Sequence, residues 1–219
     1  MAKNKFCVIG VGRFGYHCAL QLFDRGNEVV AIDKSRETIN RIRDNCSQAI
    51  VADIRKKELL QPLGLEEMDA VIVSVGGDIS NSILVTLYLK ELGVEYIVAK
   101  AVDEDHGNIL SKVGADRVIY PEKDMAHKTA QVLSDPNLID YVPLSGNYMI
   151  AEVPTPDKFK GKSIAEAQLK SKYHIQVIAH RNEKTGRSDL APSADYTLSE
   201  GDVLTVLGSK DDIDKFKSM

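Results

Sequence analysis

Three glycines spaced as Gly10-Val11-Gly12-Arg13-Phe14-Gly15, with Asp33 eighteen residues beyond the last, are the residues here best suited to hold a phosphate and a sugar. Gly10 permits a tight turn, Gly12 lets the backbone approach a phosphate, and Gly15 lets a helix pack closely on a strand. A helix opening at this point offers unpaired N–H groups and a partial positive charge to an anion. A carboxylate at Asp33 accepts hydrogen bonds from ribose hydroxyls and repels a 2′-phosphate, which disfavours NADP without separating ATP from NAD. Arg13, in the first turn, is a cation where the helix dipole disfavours one; a terminal phosphate bound there would account for it.

That chemistry needs a strand, a helix and a second strand, and the flanking residues supply them. Lys5-Phe6-Cys7-Val8-Ile9 reads as a buried strand, Arg13 to Arg25 as a helix with Phe14, Ala19, Leu20, Leu22 and Phe23 on one face, and Glu28 to Asp33 as a strand. Further strands are expected at 49–52, 69–74, 96–100 and 117–120, with helices at 55–61, 80–92, 104–113 and 121–133. Pro62 and Gly64 are expected to close the first of these helices, and Gly114 the third. Near-continuous apolar strands alternating with helices make a doubly wound, Rossmann-like α/β sheet with parallel strands.

Ser134-Asp135-Pro136-Asn137 breaks this pattern. The chain is therefore read as a nucleotide-binding domain over 1–134, a linker over 135–147 and a small α+β domain over 148–219. In that last domain, strands are expected at 149–153, 175–179 and 203–208, a short helix at 163–167 and a closing helix at 210–217. A unit of this size sits low in the range of independent stability, so docking or dimerisation is expected of it.

The 219 residues are 43% hydrophobic with a net charge of −4, which fits a folded protein and gives no basic stripe for nucleic acid. Cys7, Cys18 and Cys46 have neither metal spacing nor a CxxC motif and read as inert core thiols. Nothing resembles a signal peptide, and no apolar run is long enough to cross a bilayer, so a cytoplasmic protein is expected. The five histidines share no ligand spacing, and zincin, serine-hydrolase and P-loop motifs do not occur. Arg55-Lys56-Lys57, followed by Glu58, reads as an ordinary exposed helix start.

Taken in order, Phe6 to Gly15, Ile32-Asp33, Gly114-Ala115-Asp116, Pro121 to Ala126 and Glu200 to Leu204 resemble the RCK/KTN family across essentially the whole chain. These are the cytosolic regulatory subunits of Ktr- and Trk-type bacterial potassium uptake systems. The resemblance implies a non-enzymatic regulator at the inner face of the membrane, docked on an integral-membrane potassium-translocating subunit. It further implies dimers assembling into an octameric ring, gated by ATP against ADP, with NAD(H) bound in some members.

Carried onto this chain, the resemblance places Gly10, Gly12, Arg13, Phe14 and Gly15 at phosphates and Asp33 at the ribose. It places Ser35, Asp53 and Ile54 near sugar and adenine, and Ser74, Gly76 and Lys100 at the cleft mouth. Glu122 matches a position that contributes to a site for Mg²⁺ or another cation across a dimer. In the second domain, Ile164, Lys170, Ile175, Gln176 and Pro192 match a segment that binds cyclic di-AMP in some relatives. There Lys170 and Gln176 replace a more usual Arg and Asn, and Lys offers a point charge rather than a planar fork. The competing readings are an NAD(H)-binding redox sensor and an NAD-dependent oxidoreductase.

Overall fold

A computed structural model describes residues 3–219, and the chain divides into two compact units at Met125/Ala126. The first unit opens with β1 (Lys5–Ile9), α1 (Arg13–Asp24), β2 (Glu28–Asp33) and α2 (Arg36–Ile42). It continues with β3 (Gln48–Val51), α3 (Lys57–Leu60), β4 (Ala70–Val73), α4 (Ile79–Glu91), β5 (Ile97–Lys100), α5 (Glu104–Val113) and β6 (Arg117–Ile119). The six strands are parallel in the order β3-β2-β1-β4-β5-β6. The order reverses between β1 and β4, so the crevice of a doubly wound sheet lies at the carboxyl ends of those two strands.

Alternation along the strands sorts the core onto two faces. Cys7, Ile9, Val71 and Val73 pack with Val85 and Leu89 of α4 and Leu110 of α5. Val8, Val29, Ala31 and Ile72 pack with Ala19 of α1 and Ile39 and Ile42 of α2. Burial pushes the Cys18 thiol up, and Cys7 and Cys46 are buried.

Between α4 and α5, the backbone N–H of Val102 donates to His106 Nδ1 at 3.2 Å, which leaves the proton on Nε2 to reach Ser82 Oγ at 2.7 Å. Ser82 in turn donates to the Ile79 carbonyl. α5 ends on Gly114, whose φ of +118° is a left-handed cap that a side chain would strain.

α6 (Pro121–Ser134) buries no residue, and its Met125 and Leu133 are 62% and 79% exposed. The second unit then has β7 (Asp140–Pro143), β8 (Tyr148–Pro154), α7 (Ile164–Ala167), α8 (Leu169–Tyr173), β9 (Gln176–Asn182), β10 (Ser188–Leu190), β11 (Asp202–Ser209) and α9 (Lys210–Lys217). Its strands form an antiparallel sheet in the order β10-β9-β11-β8-β7. Phe159, Phe216, Ile213 and Leu204 fill its core.

Several expectations change. The segment read as a linker holds β7, because Tyr141-Val142 pairs with Ala151 and Ile150 across the Ser145-Gly146-Asn147 turn. The boundary between the two units also falls inside α6 rather than at its end. α2, α8 and β10 have no counterpart among the expected elements; each is short and has little periodicity of its own. Pro62 does not close α3 but sits inside a following 3₁₀ turn, Gln61–Leu63, where its missing N–H costs nothing.

Candidate functional site

A cleft of about 340 Å³ opens where β1, β2, β3 and β4 end. Its floor is the glycine turn. Gly10 has φ +88°, and a Cβ there would lie 2.8 Å from the Ser74 carbonyl oxygen; at Gly15 a Cβ would lie 2.0 Å from the Gly10 oxygen. Gly12 is different: a Cβ would meet nothing within 4 Å, so it faces open space. α1 starts there with no side-chain cap and no acidic residue in its first turn. An uncapped helix start facing free room is a cradle that fits an anion.

Asp33 is fixed from two sides. The N–H of Val11 donates to its Oδ2 and that of Ser35 to its Oδ1, both at 2.8 Å. The carboxylate thereby locks the glycine turn to the end of β2, and each of its oxygens can accept a further hydrogen bond.

Of the expected residues, Gly10, Gly12, Asp33, Asp53, Ile54, Ser74 and Gly76 line this cleft. Ile54 and Ser74 are buried. Gly15 packs beneath the turn, Phe14 packs on the α1–α2 side of the core, and Arg13 stands exposed as the first residue of α1. Ser35 caps α2, accepting from the Thr38 N–H at 3.2 Å.

Lys100 and Glu122 form an ion pair beside the cleft. Lys100 is 11% exposed, with Nζ 3.5 Å from the position of a Cβ on Gly76, and Glu122 is 71% exposed. The Lys100 hydrogen bond holds the Glu122 carboxyl below the usual carboxylate range. Among the described residues no cluster of three metal-ligating side chains occurs.

The cleft also uses residues that the sequence did not single out. Lys34, Val75, Gly77, Asp78 and Asn81 line it, and so does Arg55. α3 begins only at Lys57, so Arg55 lies in the β3–α3 turn and not at an exposed helix start. Its Nε donates to both Asp53 oxygens, at 2.8 and 3.1 Å, and its Nη2 to Oδ2 at 2.5 Å. That pairing drives the Asp53 carboxyl far below the usual range and raises the guanidinium. The signal available beforehand was the spacing Asp53-x-Arg55 directly after a strand.

In the second unit, Ile164, Lys170, Ile175 and Gln176 line a groove of about 480 Å³, and Lys170 and Gln176 also border a neighbouring one. Ile175 is fully buried, and the Gln176 amide donates to the Val177 carbonyl at 3.0 Å. Pro192 lines neither groove.

The TrkA-N domain model matches residues 6–121 and the TrkA-C domain model residues 148–219. The chain is 39% identical to Ktr system potassium uptake protein A of Bacillus subtilis over 99% of its own length and 97% of that protein's. Among solved structures, the RCK domain of GsuK superposes with a TM-score of 0.67 at 17% identity, over 99% of this chain and 47% of that one. A GsuK channel bound to NAD superposes at 0.57 and 22% identity, over 100% and 38%. At these identities the structural likeness is one of fold. No helix among the described residues is long and apolar enough to cross a membrane.

Proposed function

The chain belongs to the TrkA-N and TrkA-C family, and on that premise we propose that it is the nucleotide-sensing regulatory subunit of a Ktr-type potassium uptake system. The observation that carries this reading is the whole-length similarity to a Ktr potassium uptake protein, joined to an anion cradle and a fixed ribose acceptor in one cleft. The protein is a regulator and not an enzyme, as the potassium-uptake identity of its relative indicates.

The ligand is an adenine nucleotide. Its phosphates lie on the α1 N-terminus, its ribose on Asp33 and its base toward the end of β3. ATP differs from ADP by one more phosphate, and Arg13 of each subunit in a dimer reaches for it. A ligand shifts an equilibrium only by its differential affinity for the two states, and the extra phosphate supplies that difference. A cation beside the terminal phosphate requires Glu122 to exchange Lys100 for the ion and a second copy to complete the ligand set.

The oligomer is a ring of dimers, supported by the length of α6 that carries exposed Met125 and Leu133. The partner is an integral-membrane potassium-translocating subunit on whose cytoplasmic face the ring docks. Cyclic di-AMP in the groove beside Lys170 is a second input of the same kind.

The test is potassium flux into vesicles holding the membrane subunit, with this protein and ATP or ADP added. Flux that depends on this protein and differs between the two nucleotides supports the proposal. Flux indifferent to the protein contradicts it. The redox-sensor reading predicts instead a response to NADH against NAD with no response to ATP.

A further inference from the structure

The β1 turn holds phosphates and the β2 end holds the ribose, so in the strand order β3-β2-β1 the base must extend toward the residues after β3. Arg55 stands there. Asp53 engages its Nε and Nη2, which fixes the guanidinium plane along one edge and leaves Nη1 and both faces of the plane available. The cleft's opposite wall, after β4, carries Asp78, within electrostatic reach of Arg55.

A guanidinium at this end has two possible uses: pairing with a further phosphate, or stacking on a base. The local charges decide between them. Asp53 already pairs Arg55 along one edge and Asp78 acts on it from across the cleft, so its charge is largely met and a phosphate arriving here would confront two carboxylates. A neutral aromatic plane carries no such penalty, and a planar cation held edge-on by a carboxylate stacks on it favourably.

We infer that Arg55, held flat by Asp53, stacks on the purine base of the bound nucleotide and so sets the cleft's base preference. The inference rests on the nucleotide reading above. It assigns to Arg55 an interaction blind to phosphate number, whereas Arg13 reads the phosphates.

The test is calorimetric titration of the intact protein and its variants with ATP, ADP, AMP and CTP. Arg55 is exposed, so Arg55→Ala and Arg55→Lys keep the fold, as thermal melts would verify. Both are expected to weaken ATP, ADP and AMP by one common factor, about tenfold, and to narrow the margin of ATP over CTP. Asp53→Asn should cause a smaller loss, and adding it to Arg55→Ala should cost nothing further. A loss that grows with phosphate number, or rescue by lysine, would overturn the inference in favour of a charge contact. Unchanged affinity in Arg55→Ala would overturn it alone. Absence of any adenine-nucleotide binding by the unmodified protein would overturn the functional reading and this inference together.

Discussion

Gly15 and Gly10 stand so close that a single added carbon on Gly15 would lie 2.0 Å from the Gly10 carbonyl oxygen. The helix and the turn before it therefore touch backbone to backbone, and the cradle's shape depends on a side chain that is missing. Gly12, two residues along, has nothing within 4 Å of the same position.

These two glycines should separate stability from binding. Gly15→Ala forces the turn off the helix and should cost about 3 kcal/mol or more, at the upper end for overpacking. Gly12→Ala leaves the fold intact but fills the cradle, so its melting temperature should stay near that of the parent while nucleotide affinity falls. Thermal melts with and without ATP check both.

Arg13→Ala should weaken ATP about tenfold, the worth of a charge-assisted contact, and ADP and NAD much less. Without ligand the variant should be as stable as the parent or slightly more so, because a cation is removed from a helix N-terminus. Equal losses for all three nucleotides would remove the case for terminal-phosphate sensing.

His106 is 2% exposed between α4 and α5, and burial pushes its pKa down, with Asp103 partly offsetting the shift. A base whose folded pKa lies below its unfolded value, about 6.5, contributes stability that is full above that pH. The contribution is lost as pH falls through the folded value. Proton NMR titration should find His106 titrating below the ordinary histidine range, and Ser82→Ala, which strips its Nε2–H of a partner, should cost about 1–3 kcal/mol. Titration at or above 6.5 would contradict the assignment.

Asp202 is 1% exposed in the second unit and accepts from the Ser199 N–H and hydroxyl, from Asn182 and from Tyr196. Burial pushes its pKa up, but these donors hold it below the usual carboxylate range. Its stabilisation is therefore present above pH about 4 and is lost as pH falls toward the lower folded value. Asp202→Ala strands several donors and should cost about 3 kcal/mol, seen as a lower urea midpoint for this unit at pH 7 and a flatter acid limb.

The parallel sheet could be read in advance because its central strands are apolar on both faces, as Ala70-Val71-Ile72-Val73 shows with all four residues buried. α9, Lys210–Lys217, was equally legible through its amphipathic period and its Ser209 cap. The glycine turn and Asp33 were legible as parts of one cleft because the close approaches at Gly10 and Gly15 and the two N–H bonds to Asp33 depend on residue type at fixed spacing. β7 was hidden because a four-residue edge strand with one half-buried side chain has almost no pattern, and its partner strand alone specifies it. Arg55 was hidden for a related reason: in one dimension it sits in a run of cations, and only the β3–α3 turn directs it to the cleft while Lys57 pairs with Glu91.

The most direct test of the central claim is parallel calorimetric titration of the purified protein with ATP, ADP and NADH. Micromolar binding of ATP and ADP is predicted, with NADH weaker, and all of it lost in Gly12→Ala. Tight NADH binding with no response to ATP, or no adenine-nucleotide binding at all, would contradict the claim.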